Sequence, residues 1–168
     1  MLARIIKDTE KLTQQLGGRS PFDLAGHFDI EIREDRLGNL KGYIFFQSRM
    51  AVICLNRDLA DELRPVVVCH EIGHYLYHRK KGAASTFGET SLFLGNCQKE
   101  YEANLFAAEF LLPDDSTLEQ IEEGRNIFQA AAALQVPPEL LDFKLKFLKH
   151  KGYPVAECLW AAGDFLKH

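Results

Sequence analysis

The sequence predicts an α+β fold, a small N-terminal sheet followed by a mostly helical remainder, and three observations predict it. Apolar residues alternate with a period of two between Asp29 and Leu55. On either side they recur at helical spacing, in segments punctuated by glycine and proline. The chain has 168 residues, 46% apolar and 26% charged, enough for one sizeable core and typical of a globular protein. One domain over 1–168 is expected, with a sheet-containing part over about 1–64, a central helical part over about 65–113 and a C-terminal helical part over about 114–168.

Ala3–Leu16 carries Ile5, Ile6, Leu12 and Leu16 as a helical stripe that Gly17-Gly18 ends. Ser20-Pro21 supplies a cap and a first-turn proline for a short helix over Pro21–His27. Ile30 and Ile32, then Tyr43–Phe46, then Ala51–Leu55 read as three strands. Gly38-Asn39 and Ser48-Arg49 lie between them, which predicts an antiparallel meander, or at least a mixed sheet. Asn56 and Asp58 are placed to cap a short helical turn, and Pro65 opens a helix running to about His78. Lys81–Gly95 reads as a long loop, of the kind that is more often functional than idle. Gln98–Leu112 is a strong helix stopped by Pro113, and Ser116–Glu123, Ile127–Gln135 and Glu139–Lys149 complete a helical C-terminal part.

Composition excludes several function classes. The net charge is −4 and the pI about 5.9, so no general attraction to nucleic acid or an anionic membrane is expected. Apolar runs such as Pro65–Cys69 and Ala130–Leu134 fall far short of the roughly 20 residues a membrane span needs. The first residues lack a secretory signal, and Cys54, Cys69, Cys97 and Cys158 are scattered without a CxxC pair. Reduced thiols in a cytoplasmic protein are the expectation. Lys144, Lys146, Lys149 and Lys151 form a mild basic cluster beside a proline turn, but the apolar residues around them favour packing over a DNA-binding helix-turn-helix.

The chemistry centres on His70-Glu71-Ile72-Gly73-His74. Positions i and i+4 of a helix share a face, so both imidazoles reach one metal ion, and Glu71 lies beside them to take a proton from a water at the metal. Zinc suits nitrogen and oxygen ligands in a tetrahedron with one position left open. Chance alone gives HExxH in about one chain in sixty of this composition, so the context matters. A third ligand has a source in Glu100-Tyr101-Glu102-Ala103-Asn104, where Glu100 and Asn104 again stand at i and i+4. One of these binds the metal while the other hydrogen-bonds a ligand histidine and fixes its tautomer. Spacing does not separate Glu100 from Glu102. Ala103 and Ala107 are small enough for two helices to approach closely.

These residues resemble the ImmA/IrrE family of bacterial zinc metallo-endopeptidases. The resemblance rests on Ser20-Pro21, Gly42, Asn56, His70–His74 with His78 after it, and Glu100, Ala103, Phe106, Ala107 and Leu111-Leu112-Pro113, and it spans about Pro21 to Leu148. It implies a zincin-like domain in which His70, His74 and Glu100 hold Zn2+, Glu71 is the general base and Glu102 is a solvated neighbour. It also implies a protein substrate, since members of similar length act as antirepressors that cleave the helix-turn-helix repressor of a mobile element or prophage.

His78 continues the histidine stripe but lies about 12 Å along the axis from His70, so it supports the ligands from the helix end, caps it or is exposed. Cys97 is either a latency thiol for the open zinc position or a small packed residue. Tyr75, Tyr77 and Tyr101 are oxyanion donors or half-buried packing groups. For substrate, either Gly42–Gln47 or Ala51–Leu55 presents an edge for an added strand. The rival readings are a metal-containing regulator that binds a repressor or DNA without cleaving it, and a toxin–antitoxin partner.

Overall fold

The computed structural model describes residues 1–79 and 98–155. Helix α1 (Leu2–Leu16) ends at Gly17, whose φ of 65° is the left-handed conformation that glycine adopts without strain. Helix α2 (Pro21–His27) starts as the sequence predicts, with the Ser20 hydroxyl accepting from the Asp23 N–H at 3.2 Å.

Three strands follow, β1 (Glu31–Asp35), β2 (Gly42–Gln47) and β3 (Met50–Asn56). Their order is β1-β3-β2, with β1 parallel and β2 antiparallel to β3. The sheet is therefore mixed and not the expected meander. Asn56 explains the difference. Its amide donates to the carbonyls of Gly38 and Leu40, each at 2.9 Å, so the Gly38 turn carries the chain past the end of β3 and does not fold β2 onto β1. Asn56 thus ties down a loop, and its Oδ1 also accepts from the Asp58 N–H at 3.2 Å to cap the tight turn that follows; the 3₁₀ turn at Asp61–Leu63 itself follows Ala60 without a side-chain cap. The most apolar strand takes the centre, and the charged strand, Glu-Ile-Arg-Glu-Asp, lies at an edge where solvent reaches it. Ser48 and Arg49, with φ of 50° and 74°, make the tight β2–β3 turn that matches strand twist.

Helix α3 (Arg64–Tyr77) lies along the inner face of the sheet, where Gly42 leaves room for Val67. Helix α4 (Gln98–Leu111) packs against it, and Val66–Cys69, Ile72, Leu105, Phe106 and Phe110 are all buried between them and their neighbours. Arg19 closes the far end of α4 by donating to the carbonyls of Glu109 and Phe110, both at 2.9 Å. Helices α5 (Asp114–Glu122), α6 (Ile127–Ala133) and α7 (Pro138–His150) complete the helical part. Asn126 and Gln129 form a reciprocal capping box at the start of α6.

Leu140, Leu141, Phe143, Leu145, Phe147 and Leu148 bury α7 against the core. Two of the four lysines of the basic cluster on this helix are spent on ion pairs with Glu109 and Asp114. Lys144 is fully buried and bonds Glu109 at 2.6 Å and Asp114 at 2.5 Å, while Lys151 bonds the same two carboxylates at 2.6 and 2.7 Å. Lys146 pairs with Asp142 at 3.3 Å and lies over the Tyr101 and Phe143 rings. Cys54 and Cys69 are free, buried thiols, as expected, whereas the long loop, Cys97 and Cys158 lie outside the described residues. No helix among the described residues is long and apolar enough to cross a membrane.

Candidate active site

Helices α3 and α4 bring the site residues together because their backbones nearly touch. A Cβ built on Gly73 would stand 2.9 Å from the Ala103 Cα and 3.2 Å from its carbonyl oxygen, so only glycine fits there. Ala103 meets that expectation for close approach; Gly73, within HExxH itself, is the partner that sequence reasoning missed, and an isolated glycine inside a buried helix was the available signal.

At this crossing the Nε2 atoms of His70 and His74 are 3.1 Å apart, and each is 3.2 Å from an oxygen of Glu100. Both histidines are buried and Glu100 is partly so. A tetrahedral ion with ligand bonds near 2.0–2.1 Å sets its ligand atoms about 3.3 Å apart, close to what this triangle already has. The rear nitrogen of each ring is engaged. His70 Nδ1 donates to Asn104 Oδ1, an oxygen that only accepts, at 2.8 Å, and His74 Nδ1 is hydrogen-bonded to His78 Nδ1 at 2.9 Å. These bonds leave three electron pairs converging on one point, an arrangement that a divalent cation stabilises. The residues therefore fit a metal, and they could hold one as His70, His74 and Glu100.

Electrostatics agree with the geometry. Burial pushes the Glu100 carboxyl up, but the imidazoles of His70 and His74 beside it outweigh burial and hold the pKa at about 2. An ionised carboxylate therefore faces the two imidazoles. Glu71 is fully buried on α3, one residue after His70.

His78 is buried and lies among the partners of the histidine pair, not in solvent and not in the triangle. Its Nε2 is 3.1 Å from Glu102 Oε2, and burial holds its imidazole below the ordinary range despite that neighbour. Glu102 therefore has a definite role as the partner of His78, where the sequence reading left it a solvated neighbour. The tyrosine hydroxyls turn elsewhere: Tyr77 donates to Asp8 at 3.2 Å and Tyr75 accepts from Arg79 at 3.0 Å. Tyr101 packs edge-on against Phe143, so the packing reading fits all three.

Of the two candidate edges, β3 is the central strand and is excluded, while β2 lies at the margin of the sheet. Asn56 donates to Lys41 at 2.9 Å, which fixes the alternation of the ladder. Tyr43 and Phe45 then bond β3, and Ile44 and Phe46 turn their backbone N–H and C=O groups outward.

The family model for the IrrE N-terminal-like peptidase domain matches residues 25–146. The chain belongs to this family. A relative in Bacillus phage phi105, described as an uncharacterized immunity region protein 2, is 27% identical over 136 residues, covering 80% of this chain and 85% of its own. The matched span of the IrrE N-terminal-like domain contains the sheet, α3 and α4 whole, and thus every residue of the triangle and its surroundings. Membership supports a metalloprotease type of activity, in keeping with a donor set that could hold a metal ion.

Proposed function

We propose that this chain is a zinc-dependent endopeptidase acting as an antirepressor, with a helix-turn-helix repressor as its protein substrate. The observation that carries the reading is the convergence of His70 Nε2, His74 Nε2 and the Glu100 carboxylate, with Glu71 buried on the same helix between the two histidines in sequence. A pure binding module has no chemical need for a general base at that position.

Zinc, when bound by these three side chains, supplies the Lewis acidity that polarises a scissile carbonyl and acidifies a water. Glu71 takes the proton from the attacking water and passes it to the leaving amine. Asn104 holds the His70 ring in the tautomer whose Nε2 lone pair faces inward. The outward-facing backbone of Ile44 and Phe46 offers an extended substrate a strand to pair with. A protein of a phage immunity region among the relatives supports a repressor as the substrate class.

The test compares the wild type with Glu71→Gln, using a helix-turn-helix repressor encoded beside the chain. Zinc content and repressor binding should persist in the variant, while cleavage falls by about 10²–10⁴-fold, the usual worth of general-base catalysis. Derepression in cells that survives the substitution at the wild-type level would replace this reading with the non-proteolytic one.

A further inference from the structure

We infer that Glu102 and His78 are positioning residues for the metal site: with His74 they form one directional hydrogen-bond chain, from the carboxylate through two imidazoles to the metal-facing Nε2. The inference rests on the metallopeptidase reading above and extends it to a carboxylate outside the triangle. Three consecutive contacts make the chain. Glu102 Oε2 is 3.1 Å from His78 Nε2, His78 Nδ1 is 2.9 Å from His74 Nδ1, and Gln98 Nε2 donates to the other Glu102 oxygen at 3.0 Å.

The direction of the chain follows from donor and acceptor chemistry. An ionised carboxylate only accepts, so His78 must present its proton at Nε2. The His78 Nδ1 is then an acceptor, and the His74 atom hydrogen-bonded to it is Nδ1, which must carry the proton. His74 Nε2 is left with its lone pair toward His70 and Glu100. Asn104 does the same for His70 in a single step, through an oxygen that only accepts. Each ligand imidazole is thus oriented from behind by α4, one directly and one through His78. The spacing makes this possible: His78 is one helical turn beyond His74 on α3, and Glu102 sits on the α4 flank that faces it. The i, i+4, i+8 histidine stripe has its third member in use as a relay, because it stands too far along the axis to join the ion.

The test measures zinc affinity by chelator competition for wild type, Glu102→Ala, Glu102→Gln and His78→Ala, with the fold of each zinc-free variant checked by circular dichroism. Glu102→Ala and His78→Ala should each weaken zinc by about 10–100-fold, the usual loss when a ligand's hydrogen-bond partner is removed. Glu102→Gln should recover most of the loss, because an amide oxygen still accepts from His78. Nitrogen NMR of the zinc-loaded wild type should show the His78 proton on Nε2. Equal zinc affinity in Glu102→Ala and wild type, or a His78 proton on Nδ1, overturns the chain while leaving the metallopeptidase reading intact. A wild type that binds no stoichiometric zinc overturns that reading instead.

Discussion

Gly73 and Ala103 meet where the two helices that carry the site cross, with no space for a side chain between them. A methyl group on Gly73 would meet the Ala103 Cα at 2.9 Å, and backbone cannot yield as the tip of a flexible side chain can. Gly73→Ala should therefore push α3 and α4 apart, at a cost of about 1–3 kcal/mol typical of overpacking. The triangle spans this crossing, so zinc affinity should fall with stability. Urea denaturation and chelator competition on the same samples check both.

The partly buried quartet of Glu109, Asp114, Lys144 and Lys151 links the end of α4 to α5 and α7. Lys144 is wholly inside, and removing it leaves two carboxylates facing one partly exposed lysine. Lys144→Ala should destabilise the fold by about 3–5 kcal/mol, as breaking a buried ion pair does. The site lies at the other end of α4, so a folded fraction should still bind zinc. Differential scanning calorimetry with and without zinc checks the pair of statements.

The same quartet sets an acid limit. Burial pushes the Asp114 carboxyl up, but hydrogen bonds from Lys144 and Lys151 prevail and hold it below the ordinary aspartate range. A carboxyl that is more acidic in the folded state contributes stability that is complete above the unfolded value near 4 and is lost as pH falls through its lowered folded value. Zinc-free protein should therefore lose stability progressively below about pH 4. Asp114→Asn should show a shallower decline over that window in denaturation midpoints read against pH.

Most elements were legible in the sequence because local signals mark them: Gly17 and the Ser20 cap bound α1 and α2, and Pro65, Pro113 and Pro138 mark helix boundaries. His70 and His74 were legible as a pair because i, i+4 spacing on a helix is a geometric statement, and Glu100 and Asn104 share a face for the same reason, although spacing alone did not separate Glu100 from Glu102. What escaped depends on tertiary partners. The parallel β1–β3 pairing is decided by Asn56 reaching back to Gly38 and Leu40 from the far end of β3, and nothing local announces that. Lys144 and Lys151 look like surface charge until Glu109 and Asp114 come from other elements to meet them. Glu102 acquires its role only when α4 lies beside His78.

Glu100 and Glu102 differ by two residues and lie on different flanks of α4, so their substitution should separate two kinds of contribution. Glu100 places an oxygen 3.2 Å from each of the two Nε2 atoms, whereas Glu102 reaches only His78 among the histidines. Glu100→Gln keeps the size of the side chain and removes the charge that complements a divalent cation. A neutral amide oxygen is a much weaker zinc ligand than a carboxylate, so affinity should fall by more than the ~100-fold upper bound for loss of a supporting hydrogen bond. The fold should survive, because Glu100 is partly exposed and Asn104 and His78 still hold the imidazoles from behind. Zinc quantified after dialysis against a weak chelator reads the result directly, with Glu102→Gln run alongside. Stoichiometric zinc in Glu100→Gln at wild-type affinity would remove the carboxylate from the ligand set and leave the two histidines in need of another third partner.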